Sequence, residues 1–72
     1  MSIEEKIAML EDMMELEEGT LSIETELKEL DEWDSIAAIS YIALLDEKFN
    51  RSISASTINS FKTVKDVLSY ME

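Results

Sequence analysis

Apolar side chains near the start of the chain recur at helical spacings. The stripe steps by four, three and four residues and is made of Ile3, Ile7, Leu10 and Met14. This spacing places its members on one face of an α-helix. Ser2 stands before the stripe and Glu5 follows three residues later, which is the pattern of a capping box at a helix start. The pattern therefore predicts a first helix over residues 3–16 that ends before Gly19.

Residues 17–34 carry no sustained period. Their apolar residues are scattered among acids, at Leu21, Ile23, Leu27 and Leu30. Loops longer than about 12–15 residues are uncommon in compact domains, and they are usually either functional or disordered. Because this segment has several apolar side chains available for burial, we predict an ordered loop that some of them pin to the core.

A second helical pattern begins at Ser35 or Ile36, with Asp34 or Ser35 as its N-cap, and ends near residues 49–50. One sector is predicted to face the core, and its members are Ala38, Tyr41, Ile42, Leu45 and Phe49. A second stripe lies beside that sector, with Ile39 between the two, and consists of Ile36, Ser40, Ala43 and Glu47. So many apolar positions fit either a central helix packed on several sides or a helix with an exposed docking face.

The rest of the chain predicts two further helical segments. Residues 51–62 are rich in serine and suggest one short helical turn around residues 56–60. Thr63 and Asp66 resemble a capping box, with Asp in place of Glu or Gln, at the start of a last helix over residues 63–71. Its apolar stripe consists of Val64, Val67, Leu68 and Met71. No strand alternation persists, so we predict an all-α fold: a small bundle of three main helices plus one short helix, with a long loop between helices one and two.

The size and composition argue against an enzyme. A chain of 72 residues is expected to form one domain, residues 1–72, and to bury only about 60% of its unfolded surface. The sequence has no Cys and no His, which excludes disulfides, a thiolate nucleophile and the commonest general base and metal ligand. We therefore predict a protein that is not an enzyme, with no catalytic residues and no metal site.

The net charge of −11 is concentrated in one half of the chain. Residues 1–34 contain 13 acids and two lysines, whereas residues 35–72 contain four acids and four bases. We expect no nucleic-acid partner, because phosphate binding needs a basic surface. A basic protein surface fits better, although most of these acids, taken singly, are explained by solubility alone.

The chain also lacks the marks of a targeted or membrane protein. Its N-terminus has neither the basic start nor the apolar run of a secretory signal. Nothing approaches the roughly 18 consecutive apolar residues of a membrane span. We expect a cytoplasmic monomer that has no membrane partner.

Ser35 is the residue whose position suggests chemistry. It lies between the acidic loop and the second helix, where a hydroxyl should be exposed and uncrowded. The start of a helix offers unpaired backbone N–H groups and a dipole that favours negative charge. A phosphate ester would suit this position.

Three segments of the sequence resemble the acyl carrier protein family. Asp34-Ser35-Ile36 matches the family's Asp-Ser-Leu/Ile attachment motif, and it falls where the second helix follows a long acidic loop. Residues 44–49 are similar to the acidic end of the family's second helix, and residues 61–71 are similar to its last segment. The resemblance covers nearly the whole chain without a gap.

The resemblance implies a carrier of acyl or aminoacyl groups held as thioesters. Ser35 Oγ would take 4′-phosphopantetheine from coenzyme A, in a Mg²⁺-dependent reaction catalysed by a separate phosphopantetheinyl transferase. The reactive sulfur would belong to the arm, in agreement with the absence of Cys. Asp34 would cap the helix and, as in the family, assist the transferase and its metal. The partners would be the transferase and the acyl-loading and acyl-using enzymes.

The second helix departs from the pattern of fatty-acid-type carriers, in which this helix begins with several acids. Here its first turns read Ala37, Ala38, Ile39 and Ser40. We therefore expect partners to rely on apolar contact more than on charge, through Ile36, Ser40, Ala43 and Glu47. A dedicated carrier in one specialised biosynthetic pathway is favoured over a general fatty-acid carrier; its chemistry could be polyketide-like, aminoacyl or glycan-linked.

Two points stay open in the sequence. Trp33 stands where many members of the family have a small residue, and we interpret it as a loop anchor rather than as a partner contact. The alternative to a carrier is a non-covalent helical adaptor that has the carrier fold but no arm. In that case Ser35 would be only a helix cap.

Overall fold

Four α-helices surround the core in the computed structural model, which describes residues 2–72. Their bounds are α1 Ile3–Met13, α2 Ser35–Leu44, α3 Ala55–Asn59 and α4 Val64–Leu68. α1 packs against both α2 and α4. The predicted all-α fold is confirmed, but two helices are long and two are short, because α4 covers less than the predicted residues 63–71. Within residues 2–72, no helix has the length and apolar character needed to cross a bilayer.

α1 begins at the predicted capping box and ends earlier than predicted. Ser2 Oγ accepts a hydrogen bond from the Glu5 N–H at 3.1 Å, and the Glu5 carboxylate accepts one from the Ser2 N–H at 3.2 Å. The helix stops at Met13 rather than at residue 16, because Glu15 takes the left-handed conformation with φ of 58°. Such a conformation is unusual for a residue other than glycine, and the sequence gives no sign of it at this position.

The loop over residues 14–34 is held against the core, as predicted. Leu21 and Leu27 are buried and Leu30 is half-buried, whereas Ile23 remains exposed. Leu27 opens a single 3₁₀ turn that ends at Glu29. Leucine side chains therefore anchor the loop at several points along its length.

Backbone hydrogen bonds also attach this loop to the segment before α4. The Leu27 N–H donates to the Lys62 carbonyl oxygen at 2.9 Å, and the Val64 N–H donates to the Thr25 carbonyl oxygen at 3.0 Å. These bonds flank one antiparallel bridge between Glu26 and Thr63. These hydrogen bonds satisfy backbone N–H and C=O groups that would otherwise need water as a partner.

A carboxylate in α1 gives the loop a further attachment point. The Glu11 side chain is buried and accepts a hydrogen bond from the Leu21 N–H at 2.9 Å. Burying an ionisable group is costly unless it is hydrogen-bonded, and this bond offsets part of that cost. The sequence shows Glu11 only as one acid among many on an acidic helix.

The predicted second helix is present as α2 and a π-helical continuation, and α2 itself ends at Leu44 rather than near residues 49–50. Beyond Leu44 the chain continues as a wider π-helical turn, Leu45–Phe49, and Asn50 closes it in the left-handed conformation with φ of 51°. Within the predicted core sector, Tyr41 and Leu45 are fully buried, and the half-buried members are Ala38, Ile42 and Phe49. Ala37 is also buried, which the prediction missed.

Tyr41 connects most of the elements at the centre of the fold. Its hydroxyl donates to the Val67 carbonyl oxygen in α4 at 2.6 Å. Its ring meets Trp33 of the loop and Phe61 of the α3–α4 connection edge to face, with centroid distances of 5.9 and 6.2 Å. Such aromatic pairs stabilise a fold by more than their buried area alone would. Tyr41 therefore joins α2 to α4, to the loop between α1 and α2, and to the α3–α4 connection.

The C-terminal segment follows the predicted stripe in a shorter helix. α3 lies within one residue of the predicted turn at 56–60. The Asp66 carboxylate accepts hydrogen bonds from the N–H groups of Lys62 and Thr63 at 2.9 and 3.2 Å, and these bonds hold the pKa of Asp66 below its ordinary value. All members of the predicted stripe are buried: Val64, Val67, Leu68 and Met71.

Candidate functional site

Ser35 is exposed and is the first residue of α2. The residue before it, Asp34, is the N-cap: its Oδ1 accepts a hydrogen bond from the Ala37 N–H at 2.9 Å, and its carbonyl oxygen accepts one from the Ala38 N–H at 3.0 Å. Of the two predicted caps, Asp34 is therefore confirmed and Ser35 is not. Because Asp34 makes the capping bond, the Ser35 hydroxyl is left out of the cap.

The start of α2 is electrostatically suited to a phosphate ester. α2 is ten residues long and has no acid in its first turn. The positive end of its dipole therefore favours negative charge at Ser35, and the Asp34 carboxylate, which already accepts from the Ala37 N–H, offsets part of that effect. An exposed hydroxyl at this point fits the attachment of a phosphodiester-linked arm, since it can be reached from outside and the helix dipole favours its new charge.

The second stripe of α2 faces solvent, and so does Ile39 beside it. Ile36 is 71% exposed and Ile39 is 67% exposed. Ala43 and Glu47 are exposed as well, and Ser40 is half-buried. Packing on several sides therefore does not explain the apolar character of this stripe. Docking of partner enzymes through these residues stays a prediction.

Trp33 is placed as expected of a loop anchor. Its side chain is half-buried and packs against the core cluster, with its ring on the edge of Tyr41. Trp33 precedes the cap residue Asp34 directly. Trp33 therefore fixes the end of the loop directly before the start of α2.

Two grooves run along α2, one on each side. The first has a volume of about 400 Å³ and lies between the end of α1 and the start of α2; its lining includes Asp34 and Ile36, the two neighbours of Ser35. The second has a volume of about 500 Å³ and lies beside the later part of the helix, where its lining includes Ile39 and Arg51. Of the two grooves, only the first is lined by the residues directly before and after Ser35 in the sequence.

The first groove contains residues that the sequence analysis did not select as site residues, although it placed Met14 in the apolar stripe of the first helix. They come from the end of α1 and from the loop: Met13, Met14, Glu15 and Glu32. Helical periodicity does not select them as site residues, because their position depends on how the end of α1 packs against α2. The two adjacent methionines were the one available sign, since methionine is common on adaptable binding surfaces.

Comparison with known proteins agrees with this geometry. A family model described as "Phosphopantetheine attachment site" matches residues 7–71. The acyl carrier protein of Phytoplasma mali (strain AT) is 34% identical over 61 residues, which cover 85% of this chain and 73% of the relative. That of Phytoplasma australiense is 32% identical over 72 residues, covering 100% of this chain and 95% of the relative.

A third relative extends the same result. The acyl carrier protein of Onion yellows phytoplasma (strain OY-M) is 32% identical over 68 residues, covering 93% of this chain and 90% of the relative. No solved structure matches the chain. The family match spans both sides of Ser35 and includes α2 and α4. The chain therefore belongs to the acyl carrier protein family, and its prosthetic group is the covalent 4′-phosphopantetheine of that family.

Proposed function

We propose that Ser35 Oγ is the attachment atom for 4′-phosphopantetheine, and that the protein carries acyl or aminoacyl groups for a specialised biosynthetic pathway. The observation that supports this most directly is the exposed Ser35 hydroxyl at the first residue of α2, with the cap supplied by Asp34. The arm supplies a terminal thiol, which holds the carried group as a thioester. The protein itself positions that thiol.

The attachment step requires little of this chain. Ser35 Oγ forms a bond to the phosphorus nearer the pantetheine in coenzyme A, the pyrophosphate bond to that phosphorus breaks, and adenosine 3′,5′-bisphosphate leaves. The hydroxyl proton passes to a base on the transferase. With no His and no Cys in the sequence, the chain acts as the substrate of this reaction, and Asp34 contributes by fixing the start of α2 and by assisting the transferase and its metal.

Partner enzymes would contact the exposed stripe of α2. These partners are the phosphopantetheinyl transferase and the enzymes that load and use the acyl group. The stripe presents Ile36, Ser40, Ala43 and Glu47, and no acid lies in the first turn of the helix. Apolar contact should therefore contribute more than charge on α2 itself. This departure from acid-rich second helices supports a dedicated carrier, which we propose is a cytoplasmic monomer.

Substitution of the serine tests the proposal. Wild type, incubated with coenzyme A, Mg²⁺ and a broad-specificity phosphopantetheinyl transferase, should gain the mass of one phosphopantetheinyl group, and Ser35→Ala should gain none. Because Asp34 provides the cap, Ser35→Ala should lower the free energy of unfolding by less than about 0.5 kcal/mol. Intact-mass spectrometry and thermal unfolding measure the two effects.

A second serine provides the control. Ser56→Ala removes an exposed hydroxyl from the short helix α3, and this variant should be modified as fully as wild type. Wild type that stays unmodified by a transferase active on other carriers would refute the proposal. That outcome would leave the chain as a helical adaptor without an arm.

A further inference from the structure

The groove between the end of α1 and the start of α2 is lined by apolar residues, termed its floor, by acids, termed its edges, and by the half-buried Ser40. Met13 and Met14 contribute from α1 and its cap, and Ile36 and Ala37 contribute from α2. The two methionines are half-buried, Ile36 is exposed and Ala37 is buried. An apolar surface of this kind loses contact with water only when another molecule covers it.

Acids line the same groove. The charged residues that line the groove are all negative: Glu15, Glu32 and Asp34. The groove on the other side of α2 is different, because Asp46 and Arg51 both line it and its charge is mixed. An apolar floor with acidic edges is complementary to an apolar side chain that is flanked by lysines or arginines.

Glu15 and Glu32 supply negative charge that the first turn of α2 lacks. The first turn of α2 has no acid, but Glu15 and Glu32 lie in the same groove as Ile36 without belonging to that helix. Glu15 reaches this position because its left-handed backbone turns the chain at the end of α1. Negative charge near Ser35 is therefore supplied by the end of α1 and by the loop.

We infer that this groove is a docking surface for the phosphopantetheinyl transferase, and that it receives an apolar side chain of the transferase flanked by basic residues. The inference rests on the proposed attachment at Ser35. Asp34 and Ile36 line the groove and flank Ser35 in the sequence, so an enzyme that encloses the Ser35 hydroxyl must also lie over the groove. Recognition would then involve α1 as well as α2.

The charged edge is tested by removing two carboxylates without changing shape. Glu15→Gln combined with Glu32→Gln should raise the KM for the carrier in the transferase reaction about three- to tenfold, with kcat unchanged within about twofold. The control is the pair Glu4→Gln and Glu24→Gln, which removes two exposed carboxylates that do not line the groove. At about 1 M salt, where the screening length is about 3 Å, the ratio of the two KM values should approach one.

The apolar floor is tested by methionine methyl spectroscopy. The Ser35→Ala variant, labelled with ¹³C at the methionine methyl groups, is mixed with the transferase and coenzyme A, so that the complex forms and no transfer follows. The methyl signals of Met13 and Met14 should shift. Those of Met9, which is half-buried outside the groove, and Met71, which is fully buried, should stay in place.

The outcomes separate this inference from the proposed function. Modified wild type, a raised KM for the groove variant and shifted Met13 and Met14 signals would support both. Modified wild type with a KM equal to that of the control variant, or with unshifted Met13 and Met14 signals, would overturn the groove inference and leave attachment at Ser35 intact. Wild type that accepts no arm would overturn the proposed function and, with it, the inference.

Discussion

The two faces of α2 are both apolar, yet their surroundings are opposite. On one face, Tyr41 and Leu45, the first residue of the π-helical turn that continues α2, are 0% exposed; on the other, Ile36 and Ile39 are 71% and 67% exposed. The buried face bonds to α4 through the Tyr41 hydroxyl and meets the two aromatic side chains that pack on Tyr41. The exposed face meets nothing in residues 2–72 that covers it. Side-chain polarity therefore does not distinguish the two faces.

The difference shows that α2 carries more apolar surface than the fold uses. A small domain gains stability by burying such residues and gains none by exposing them. The exposed isoleucines begin directly after Ser35, where a partner would have to approach the proposed arm. We infer that one face of α2 maintains the fold and that the other is reserved for contact with enzymes.

The largest expected effect lies on the buried face. Leu45→Ala should lower the free energy of unfolding by about 2–5 kcal/mol, because it removes a fully buried side chain and leaves a cavity. A domain with about 0.05–0.15 kcal/mol of stability per residue loses much of its total in this way. Urea denaturation followed by circular dichroism measures the loss. The matched control is Leu44→Ala, at the half-buried neighbour, and an equal loss there would contradict the division into two faces.

A smaller effect is expected from Tyr41→Phe, which keeps the ring and removes the hydroxyl. The Tyr41 hydroxyl donates to the Val67 carbonyl oxygen at 2.6 Å. Without this donor the carbonyl oxygen lacks that partner, and we expect a loss of about 1–3 kcal/mol in the free energy of unfolding. Tyr70→Phe, at a half-buried tyrosine, is the control, and it should cost less.

The same substitution predicts a pH dependence. Burial raises the pKa of Tyr41 well above its ordinary value, which is about 10 in an unfolded chain. Above about pH 10 the unfolded chain therefore loses a proton that the folded protein keeps, so the stability of wild type should fall as pH rises further. This part of the alkaline decline should be absent in Tyr41→Phe. A parallel decline in both proteins would show that Tyr41 does not cause it.

The sequence was sufficient to predict the buried face of α2 and the start of the helix. Tyr41 and Leu45 are correctly placed because helical periodicity fixes which residues share a face. Asp34 was a candidate cap because a short side-chain oxygen before a helix can accept from its first N–H groups. The position of Ser35 at the start of the second helix follows from the same change from acidic loop to helical spacing.

Features that depend on contacts between distant segments were missed. Glu11 is buried because Leu21, ten residues later, brings its N–H to the carboxylate. The end of α1 at Met13 depends on the left-handed conformation of Glu15. A glycine at this position would have indicated such a conformation, but a glutamate does not. The groove beside Ser35 depends on the packing of that end against α2. The sequence could predict the residue proposed to carry the arm, but not the surface around it.

The smallest effect on stability is expected on the exposed face, at Ile36. Ile36→Ala should change the free energy of unfolding by no more than about 0.5 kcal/mol, because the side chain is largely in solvent. The rate of modification by the transferase, or of turnover by an enzyme that uses the loaded carrier, should nevertheless fall. Thermal unfolding and initial rates, measured on the same preparation, test both parts. Ile39→Ala is the matched stability control, since Ile39 is almost equally exposed.

The two measurements together decide what the exposed face does. If Ile36→Ala unfolds the protein, Ile36 belongs to the core and the two faces of α2 are not distinct. If stability and turnover both stay at the wild-type level while Glu47→Lys abolishes turnover, partners recognise charge at the end of α2 rather than apolar contact near Ser35. A loss of turnover with stability retained is expected only if the exposed isoleucine is a contact residue, because a partner then loses apolar surface that the fold never used.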